Sequence, residues 1–206
     1  LTEYLIASGL EISTKLATAL SYGISSETQD LGREAREADL QAYLALFPKS
    51  NKKLLASIVH PKLPREYFIT LSRALHHSLV YKNAIATTLG EVQNPDFVPF
   101  IADFMLRVER INWAICVGRY NNRLVVSIRT TNVKGNAGVF LRRLIGKRGT
   151  AGGHGMIAGG QMPCGAMDHD ACTKAEDELI QSFLRKLGYK DIGDMTPLLA
   201  AESMHS

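Results

Sequence analysis

The sequence predicts an α/β protein in which a helical N-terminal part, to about residue 80, precedes a second part built on a mixed sheet. Apolar residues in the first part recur at helical spacing, which is typical of amphipathic helices. From Lys82 onward, short strand-like runs alternate with helical patterns. A glycine-rich run at residues 149–160, with a block of positive charge before it, indicates where a ligand binds.

Four helices are predicted in the first part of the chain. A turn-rich stretch at residues 25–32 follows the first helix, and Pro48 ends the second, because proline cannot continue a helix. The fourth follows Pro61 and Pro64 and is expected to connect the two parts. The predicted helices cover residues 2–19, 35–47, 52–59 and 65–80.

Strands and helices alternate in the second part. Asn121 and Asn122 tolerate left-handed turn geometry and predict a hairpin between the second and third strands. Asp168 or Asp170 is expected to cap the last helix, and Gly188 to end it. The predicted strands cover residues 84–92, 112–117 and 124–128, and the predicted helices cover residues 96–108, 138–145 and 171–187.

The composition is that of an ordinary globular protein, with 46% hydrophobic and 21% charged residues in 206. No apolar run approaches the roughly 20 residues of a membrane-spanning helix, and no basic-then-apolar leader opens the chain. We therefore predict a cytoplasmic protein without a membrane partner. Because Leu1 is not an initiator methionine and the first residues already read as mid-helix, we expect a piece of a longer protein.

Three cysteines, Cys116, Cys164 and Cys172, form an odd set without paired spacing. This pattern predicts inert thiols in a reducing compartment rather than a disulfide framework. A zinc site is the alternative, because His154, Cys164, His169 and Cys172 fall within nineteen residues. Structural zinc sites usually use close ligand pairs, and only His169 and Cys172 are that near each other, so zinc is the less favoured interpretation.

The net charge of +4 conceals a strongly basic segment. Residues 107–148 contain ten Lys or Arg and a single acid, Glu109, so this segment carries +9 and the rest of the chain −5. A solvated basic surface is one interpretation of such a cluster. Because this segment directly precedes a glycine-rich run, binding of an anionic partner is the better interpretation of its charge.

The run from Gly149 to Gly160 contains six glycines in twelve residues, with His154 at its centre. Glycine takes positive φ freely and lets a ligand approach the backbone closely. Met156 and Ile157 interrupt the run, which argues against a flexible linker. The run also lacks the Gly-Lys-Ser or Gly-Lys-Thr of a Walker loop and the strand-to-helix frame of a dinucleotide fingerprint. The run therefore predicts a folded backbone surface that faces a ligand and belongs to neither of these two motifs.

A family resemblance rests on three short motifs. Ser127-Ile-Arg129 at a predicted strand end is followed by Gly152-Gly-His154 and then by Ala-Gly-Gly160. This order resembles the DHH-associated C-terminal domain of the DHH phosphoesterase superfamily, which includes RecJ-like exonucleases, oligoribonucleases and nucleotide phosphatases. In that family the domain closes over a cleft and grips the substrate.

The resemblance extends upstream to residues 19–30, ALSYGISSETQD, which are similar to the last motif of the catalytic DHH domain, normally Gly-Ile-x-x-Asp-Thr. The two regions together span most of the chain. The resemblance implies three segments: the tail of a catalytic domain at residues 1–60, a helical connector at 61–81, and a DHH-associated substrate-binding domain at 82–206.

Substrate binding is the role that the resemblance implies for the glycine-rich motif. Carried over to this sequence, the phosphate contacts fall on Arg129, Gly152, Gly153 and His154, and Lys134 adds attraction to a longer strand. The alternative is structural: a glycine-rich turn that packs closely against a neighbouring strand, with His154 facing solvent.

The catalytic centre of the family holds two divalent metals, usually manganese, on a cluster of Asp and His residues. The Asp-His-His triplet is absent from this sequence, and Asp168-His-Asp170 comes after the Gly-Gly-His, where it fits a helix cap. The metal-ligating Asp of the last catalytic motif corresponds to Glu27. Glu27 is a metal ligand in one interpretation and a helix-start carboxylate in the other.

The resemblance therefore implies a parent phosphoesterase that needs manganese or another divalent metal, and a fragment that binds no metal tightly and does not catalyse alone. The expected partner is a phosphate-bearing substrate, either an oligonucleotide or a nucleotide, with a homodimer as an option. A non-catalytic nucleic-acid or phosphate-binding module is the alternative function, and an oligomerisation domain is a third. Aromatic residues near the basic segment are too sparse to decide the length of the substrate.

Overall fold

A computed structural model of the chain describes residues 1–32, 35–164, 169–189, 193 and 195–199. The chain divides into two compact units, Leu1–Leu63 and Pro64–Ser206. The first is helical and the second is mixed α/β, as the sequence predicts. Across the described ranges, no helix is both long enough and apolar enough to span a membrane.

The described part of the first unit contains four α-helices where the sequence predicts three. The long helix predicted over residues 2–19 is wrong, because Gly9 takes a φ of 66° and interrupts it. A second helix begins after Ser13, whose hydroxyl accepts a hydrogen bond from the Leu16 backbone N–H, and it continues through part of the stretch predicted to be turns. The helices are α1 (Thr2–Ala7), α2 (Thr14–Thr28), α3 (Glu37–Leu46) and α4 (Lys52–Val59), with a 3-10 turn at Phe47–Lys49.

The second unit is built on a seven-stranded mixed sheet. The strand order is β5-β6-β4-β3-β2-β1-β7, and every neighbouring pair is antiparallel except β2 and β3, which run parallel. The strands are β1 (Ser78–Tyr81), β2 (Ala84–Glu91), β3 (Trp113–Tyr120), β4 (Arg123–Thr130), β5 (Thr150–His154), β6 (Ile157–Pro163) and β7 (Thr196–Pro197).

Helices cover both faces of this sheet. On one face α5 and α6 pack against β2, β3 and β4 through a core that includes Val98, Ile101 and Met105. On the other face α7 packs on β5 and β6, and α8 packs on α7, β2 and β3, around Leu141 and Phe183. These helices are α5 (Arg65–His76), α6 (Phe97–Met105), α7 (Ala137–Ile145) and α8 (His169–Lys186).

The predicted connector helix is shorter than residues 65–80. It ends at His76, and Ser78–Tyr81 forms a strand that pairs with β2. The Ser78 hydroxyl donates to the carbonyl oxygen of Ala74 and lies 2.7 Å from the Thr87 hydroxyl oxygen, so it joins the last helical turn to the sheet. The apolar residues of this strand happen to continue the helical spacing, which explains the error.

The hairpin between β3 and β4 is confirmed. Asn121 and Asn122 have φ values of 47° and 58°, the left-handed geometry that a two-residue turn requires. Gly188, with a φ of 93°, follows the end of α8 as predicted. Asp170 lies in the first turn of α8, and the other predicted cap, Asp168, lies outside the described residues.

The cysteines correct a prediction. Cys164, after β6, and Cys172, in α8, form a disulfide with their Cα atoms 6.3 Å apart, whereas inert thiols were predicted for both. The spacing of eight residues between the two cysteines does not indicate a disulfide, since the two are brought together only by the packing of α8 near the end of β6. Cys116 is free and buried, and burial raises the pKa of its thiol, in keeping with an inert side chain.

Candidate functional site

The glycine-rich run forms the antiparallel hairpin of β5 and β6 at one end of the sheet. Because cross-strand partners share a face, the register places Gly152 and Gly159 in one row with Ser127 of β4. This is the face on which α6 covers β3 and β4. A Cβ atom added to Gly152 or Gly159 would meet nothing within 4 Å. The backbone of these two glycines is therefore bare on that face.

A cleft of about 610 Å³ lies over this bare backbone. Its lining includes Gly152 and Gly159, and Tyr120 and Arg123 beside the turn of the β3–β4 hairpin. Gln161 of β6 contributes an amide side chain. The volume falls within the range of small-molecule sites, and the lining combines exposed main chain with a guanidinium and an amide.

Arg129 and His154 lie in the next row of the same face. Arg129 of β4 pairs with Ile157 of β6, which pairs in turn with His154 of β5. The structure thus places in one row, on either side of Ile157, two residues that the sequence separates by 25 positions. Neither of them lines the cleft over Gly152 and Gly159. His154 is exposed at the end of the edge strand, beside the open row of glycines.

The guanidinium of Arg129 is buried and fixed by several contacts. Its Nε donates to Asp103 Oδ1 at 2.7 Å, and its Nη1 donates to the Ser127 hydroxyl oxygen at 2.7 Å and to the carbonyl oxygen of Ile128 at 3.1 Å. Nη2 makes no hydrogen bond with any described residue. The Asp103 side chain is 47% exposed, so the ion pair lies at the edge of solvent rather than in the core.

The turn that carries His154 is held from two sides. The Gly155 carbonyl oxygen accepts a hydrogen bond from the Ala137 N–H at 2.9 Å, and the Met156 carbonyl oxygen accepts one from the Thr130 N–H at 3.0 Å. Gly155 takes a φ of 46°, a conformation that glycine adopts without strain. The backbone position of His154 is therefore set by α7 and by the residue after Arg129.

Gly153 points to the opposite face, where α7 packs. Its φ is 144°, and an added Cβ would lie 2.6 Å from the Cα of Ala158. On α7, a Cβ at Gly138 would lie 2.6 Å from the carbonyl carbon of Gly153. The two predicted motif glycines thus have different surroundings: a Cβ at Gly152 would meet open space, and a Cβ at the exposed Gly153 would collide with the backbone of β6.

Lys134 lies apart from the row of Arg129 and His154. It lines a second cleft, of about 340 Å³, together with Arg143 of α7 and Lys186 of α8. The fold therefore assigns the predicted substrate-binding residues to two places in the second unit.

Glu27 belongs to the first unit and lies in the last turn of α2. The alternative of a helix-start carboxylate is therefore wrong, since the helix begins at Thr14. Glu27 lines a cleft of about 300 Å³ with Glu3 and Asp39. Within the described part of the chain, no three His, Cys, Asp or Glu side chains are grouped as a metal site requires. The described residues thus do not form a two-metal centre by themselves.

The zinc alternative loses two of its four ligands. Cys164 and Cys172 are joined as a disulfide and are not available as thiolates. His154 lies on β5, and the side chain of His169 is not among those described.

Sequence reasoning missed several residues of the site. Ser127 stands two positions before Arg129, and the strand period of two was a usable signal that both face the same way. Asp103 carries no such signal, because it pairs with Arg129 only once α6 packs on the sheet. Gly159 belongs to the predicted Ala-Gly-Gly motif, and the strand register identifies it as the second open glycine.

No protein-family model matches the chain. An uncharacterised protein of Methanocaldococcus jannaschii is 32% identical to it over 197 residues, which are 93% of this chain and 40% of that protein. The chain therefore spans less than half the length of this curated relative.

Among solved structures, an exopolyphosphatase-related protein from Bacteroides fragilis matches with a TM-score of 0.60, over 86% of this chain and 53% of its own, at 16% identity. A DHH domain, from a protein described as a member of a family of ribosomal proteins, covers 90% of this chain and 44% of its own at 14% identity. Its TM-score of 0.41 is too low to support an argument. The likeness to the exopolyphosphatase-related protein concerns the fold: this chain shares a mixed α/β fold with it over 86% of its residues.

Proposed function

We propose that this chain is the C-terminal, substrate-binding portion of a metal-dependent DHH-family phosphoesterase that acts on short nucleic acids, nucleotides or related phosphate esters. One observation carries the proposal: Arg129 and His154 share a face of the sheet with the bare backbone of Gly152 and Gly159. In this proposal Arg129 and His154 neutralise and orient a phosphate.

The backbone of β5 supports this role. β5 is an edge strand, and among the described strands it pairs only with β6, so part of its N–H groups face away from the sheet. Glycine allows a phosphate oxygen to approach such groups closely, and backbone N–H groups are effective donors to anions. Asp103 and Ser127 hold Arg129 through Nε and Nη1, which leaves Nη2 as a donor for the ligand.

The proposal assigns binding to this chain and hydrolysis to the parent protein. The described residues offer no group of metal ligands, and we derive no catalytic step from them. Manganese, or another divalent metal, belongs to the proposed parent, and Glu27 stays a predicted ligand that nothing in the fold tests.

Calorimetric titration of the chain with uridine 5′-monophosphate tests the proposal. We expect His154→Ala to weaken binding about tenfold, the effect of losing one hydrogen bond to a charged group. His77→Ala is the matched control, because His77 is also an exposed histidine of the second unit and lies outside the site. Equal affinities for the two variants would contradict the proposed role of His154.

A non-catalytic binding module is the second candidate, and the glutamate at position 27 favours it. One extra methylene displaces the carboxylate relative to the Asp of the family motif. The parent protein, assayed with manganese and a short oligonucleotide, separates the two candidates. Cleavage supports the phosphoesterase, whereas binding without cleavage supports the module.

A further inference from the structure

The disulfide of Cys164 and Cys172 joins the end of β6 to the first turn of α8. Both cysteines lie in the apolar core between the sheet and this helix, where 3% of Cys164 and 7% of Cys172 is exposed. The bond is therefore placed where a change in its redox state alters how α8 is held against the sheet.

On the Cys164 side, the disulfide is attached to the β3–β4 hairpin. The Cys164 N–H donates a hydrogen bond to the carbonyl oxygen of Asn122, in the turn of the hairpin, at 2.8 Å. The preceding residue, Pro163, is the register partner of Arg123, the first residue of β4. The position of Cys164 is thus fixed relative to the turn and to the start of β4.

On the Cys172 side, α8 is attached to the other strand of the hairpin. Glu176 follows Cys172 by about one helical turn, and its Oε1 lies 3.1 Å from Nε of Arg119, near the end of β3. The Glu176 side chain is 4% exposed and that of Arg119 is 17% exposed, so solvent screens this ion pair little. The disulfide and the ion pair therefore connect α8 to both strands of the hairpin.

The hairpin that is held in this way lines the cleft of about 610 Å³. Tyr120, Asn121 and Arg123 belong to its lining, and each is next in sequence to a residue that the disulfide or the ion pair holds. The strands of the hairpin separate this cleft from α8, which packs on the other face of the sheet. A change at the disulfide therefore reaches the cleft through the backbone of the hairpin.

Loss of the bond is expected to leave the rest of the second unit folded. The two cysteines are eight residues apart, and a disulfide that closes a short loop stabilises a protein less than one that closes a long loop. The sheet has an apolar core on each face, around Leu141 and Phe183 on one and Ile101 and Met105 on the other. A reversible device needs a fold that survives both of its states, and this arrangement meets that need.

We propose that the Cys164–Cys172 disulfide is a redox-sensitive tether that controls the order of the β3–β4 hairpin, and so of one wall of the cleft. The reductant is a dithiol. One of its thiolates attacks a sulfur of the disulfide, the S–S bond breaks and a mixed disulfide forms, from which the second thiol of the reductant releases the protein. The protein gains two electrons and two protons and ends with two thiols, while the dithiol ends as a disulfide.

Burial couples the reduction to the loosening of the tether. A dithiol reaches the enclosed sulfur atoms of Cys164 and Cys172 only when the first turn of α8 moves away from the sheet. Once the bond is broken, nothing covalent returns this turn to the end of β6. The inference concerns the wall of the cleft and does not depend on which ligand the cleft takes.

Hydrogen exchange of the full chain, measured by mass spectrometry with and without dithiothreitol, tests the tether. A thiol count under denaturing conditions defines the two states: one thiol, that of Cys116, before reduction and three after it. We expect reduction to speed exchange about tenfold in peptides that cover residues 118–126, because the hairpin opens more often without the bond. Exchange in α6 is expected to be unchanged, since α6 packs on the opposite face of the sheet from α8.

Two variants separate the disulfide from other effects of the reagent. Cys172→Ala cannot form the bond, so it is expected to show the fast exchange of the reduced chain at residues 118–126 with or without dithiothreitol. Cys116→Ala is the matched control: it keeps the disulfide and is expected to respond to dithiothreitol as the unchanged chain does. If Cys172→Ala does not fold, the reduced form of the unchanged chain still carries the test.

Several results would overturn the inference. Three free thiols before reduction would mean that the disulfide does not form. Unchanged exchange at residues 118–126 in the reduced chain would mean that the hairpin keeps its order without the bond. Equal acceleration in the hairpin and in α6 would make the disulfide a general staple of the unit rather than a tether of the hairpin. An equal response of Cys172→Ala to dithiothreitol would trace the effect to the reagent.

Discussion

The two faces of the β5–β6 hairpin differ in what surrounds their glycines. On the face with His154, a Cβ at Gly152 or Gly159 would meet no atom within 4 Å. On the face under α7, a Cβ at Gly153 would lie 2.6 Å from the Ala158 Cα, and one at Gly160 would lie 2.6 Å from the Ile145 Cδ1. Adjacent glycines of one motif therefore meet different physical demands, close packing on one face and access on the other.

This difference clarifies the two interpretations of the glycine-rich run. A turn that packs closely on its neighbours and a backbone surface that meets a ligand were alternatives in the sequence. The strand period of two makes them compatible, because successive residues point to opposite faces. Packing against α7 holds the hairpin in register, and the proposed ligand surface is the other side of the same strands.

The largest expected effect is at Gly153. Gly153→Ala introduces a methyl group against the Ile157 carbonyl oxygen and the Ala158 backbone, at a φ of 144° that alanine disfavours. We expect a loss of about 3 kcal/mol in the free energy of unfolding. Denaturant unfolding followed by the fluorescence of Trp113, the one tryptophan in the sequence, measures it in the second unit. A loss below about 0.5 kcal/mol, within the range of ordinary surface changes, would contradict the packing role.

A smaller loss is expected at Gly160. Its added Cβ would meet the end of the Ile145 side chain at 2.6 Å and the Thr150 carbonyl oxygen at 2.8 Å. The isoleucine terminus can move, whereas the backbone oxygen moves less, so we expect Gly160→Ala to cost about 1–2 kcal/mol. The same fluorescence measurement applies. Because Ile145→Val removes the terminal methyl group, the double variant should lose less stability than the sum of the two single changes, and a fully additive loss would contradict this contact.

The two faces also differ in their ion pairs. Arg129 and Asp103 meet at the solvent edge of the open side. On the closed side, Nε of the half-buried Arg119 of β3 lies 3.1 Å from Oε1 of the buried Glu176 of α8. Burial raises the pKa of Glu176, and Arg119 lowers it in part. The folded protein therefore keeps this proton to a higher pH than the unfolded chain does.

The stability that this proton contributes is fully present below the ordinary carboxyl pKa of 4.5 and is lost as the pH rises through the raised value. Glu176→Gln does not titrate, so its free energy of unfolding should fall less between pH 4.5 and neutral pH than that of the unchanged chain. Unfolding curves at several pH values measure the two slopes. A slope for Glu176→Gln equal to that of the unchanged chain would contradict a raised pKa of Glu176 in the folded protein.

Local signals predicted much of the fold. The helix over Lys52–Val59 and the hairpin at Asn121 and Asn122 follow from spacing and turn chemistry within a few residues. Arg129 and His154 were identified by motif, and the fold brings them into one row. The helix and the hairpin depend on residues that are close in sequence, and Arg129 and His154 were found through a family motif.

Features that depend on distant contacts were missed. Neither β5 nor β6 was predicted as a strand, because glycine has low strand propensity and hides the alternation of faces. The disulfide of Cys164 with Cys172 and the separation of Lys134 from Arg129 follow from how helices pack on the sheet. No local pattern carries that information.

The smallest expected effect on stability is at Gly152, on the open face of the hairpin. Gly152→Ala adds a methyl group that meets nothing within 4 Å, so the free energy of unfolding should change by less than about 0.5 kcal/mol. The same methyl group enters the cleft of about 610 Å³, where it would keep a phosphate from the bare backbone. Uridine 5′-monophosphate affinity should therefore fall while stability holds. Gly23→Ala in α2, which also meets nothing within 4 Å, is the control that should leave affinity unchanged. An unchanged affinity in Gly152→Ala would mean that the ligand does not use this face, and a large loss of stability would mean that the face is not open.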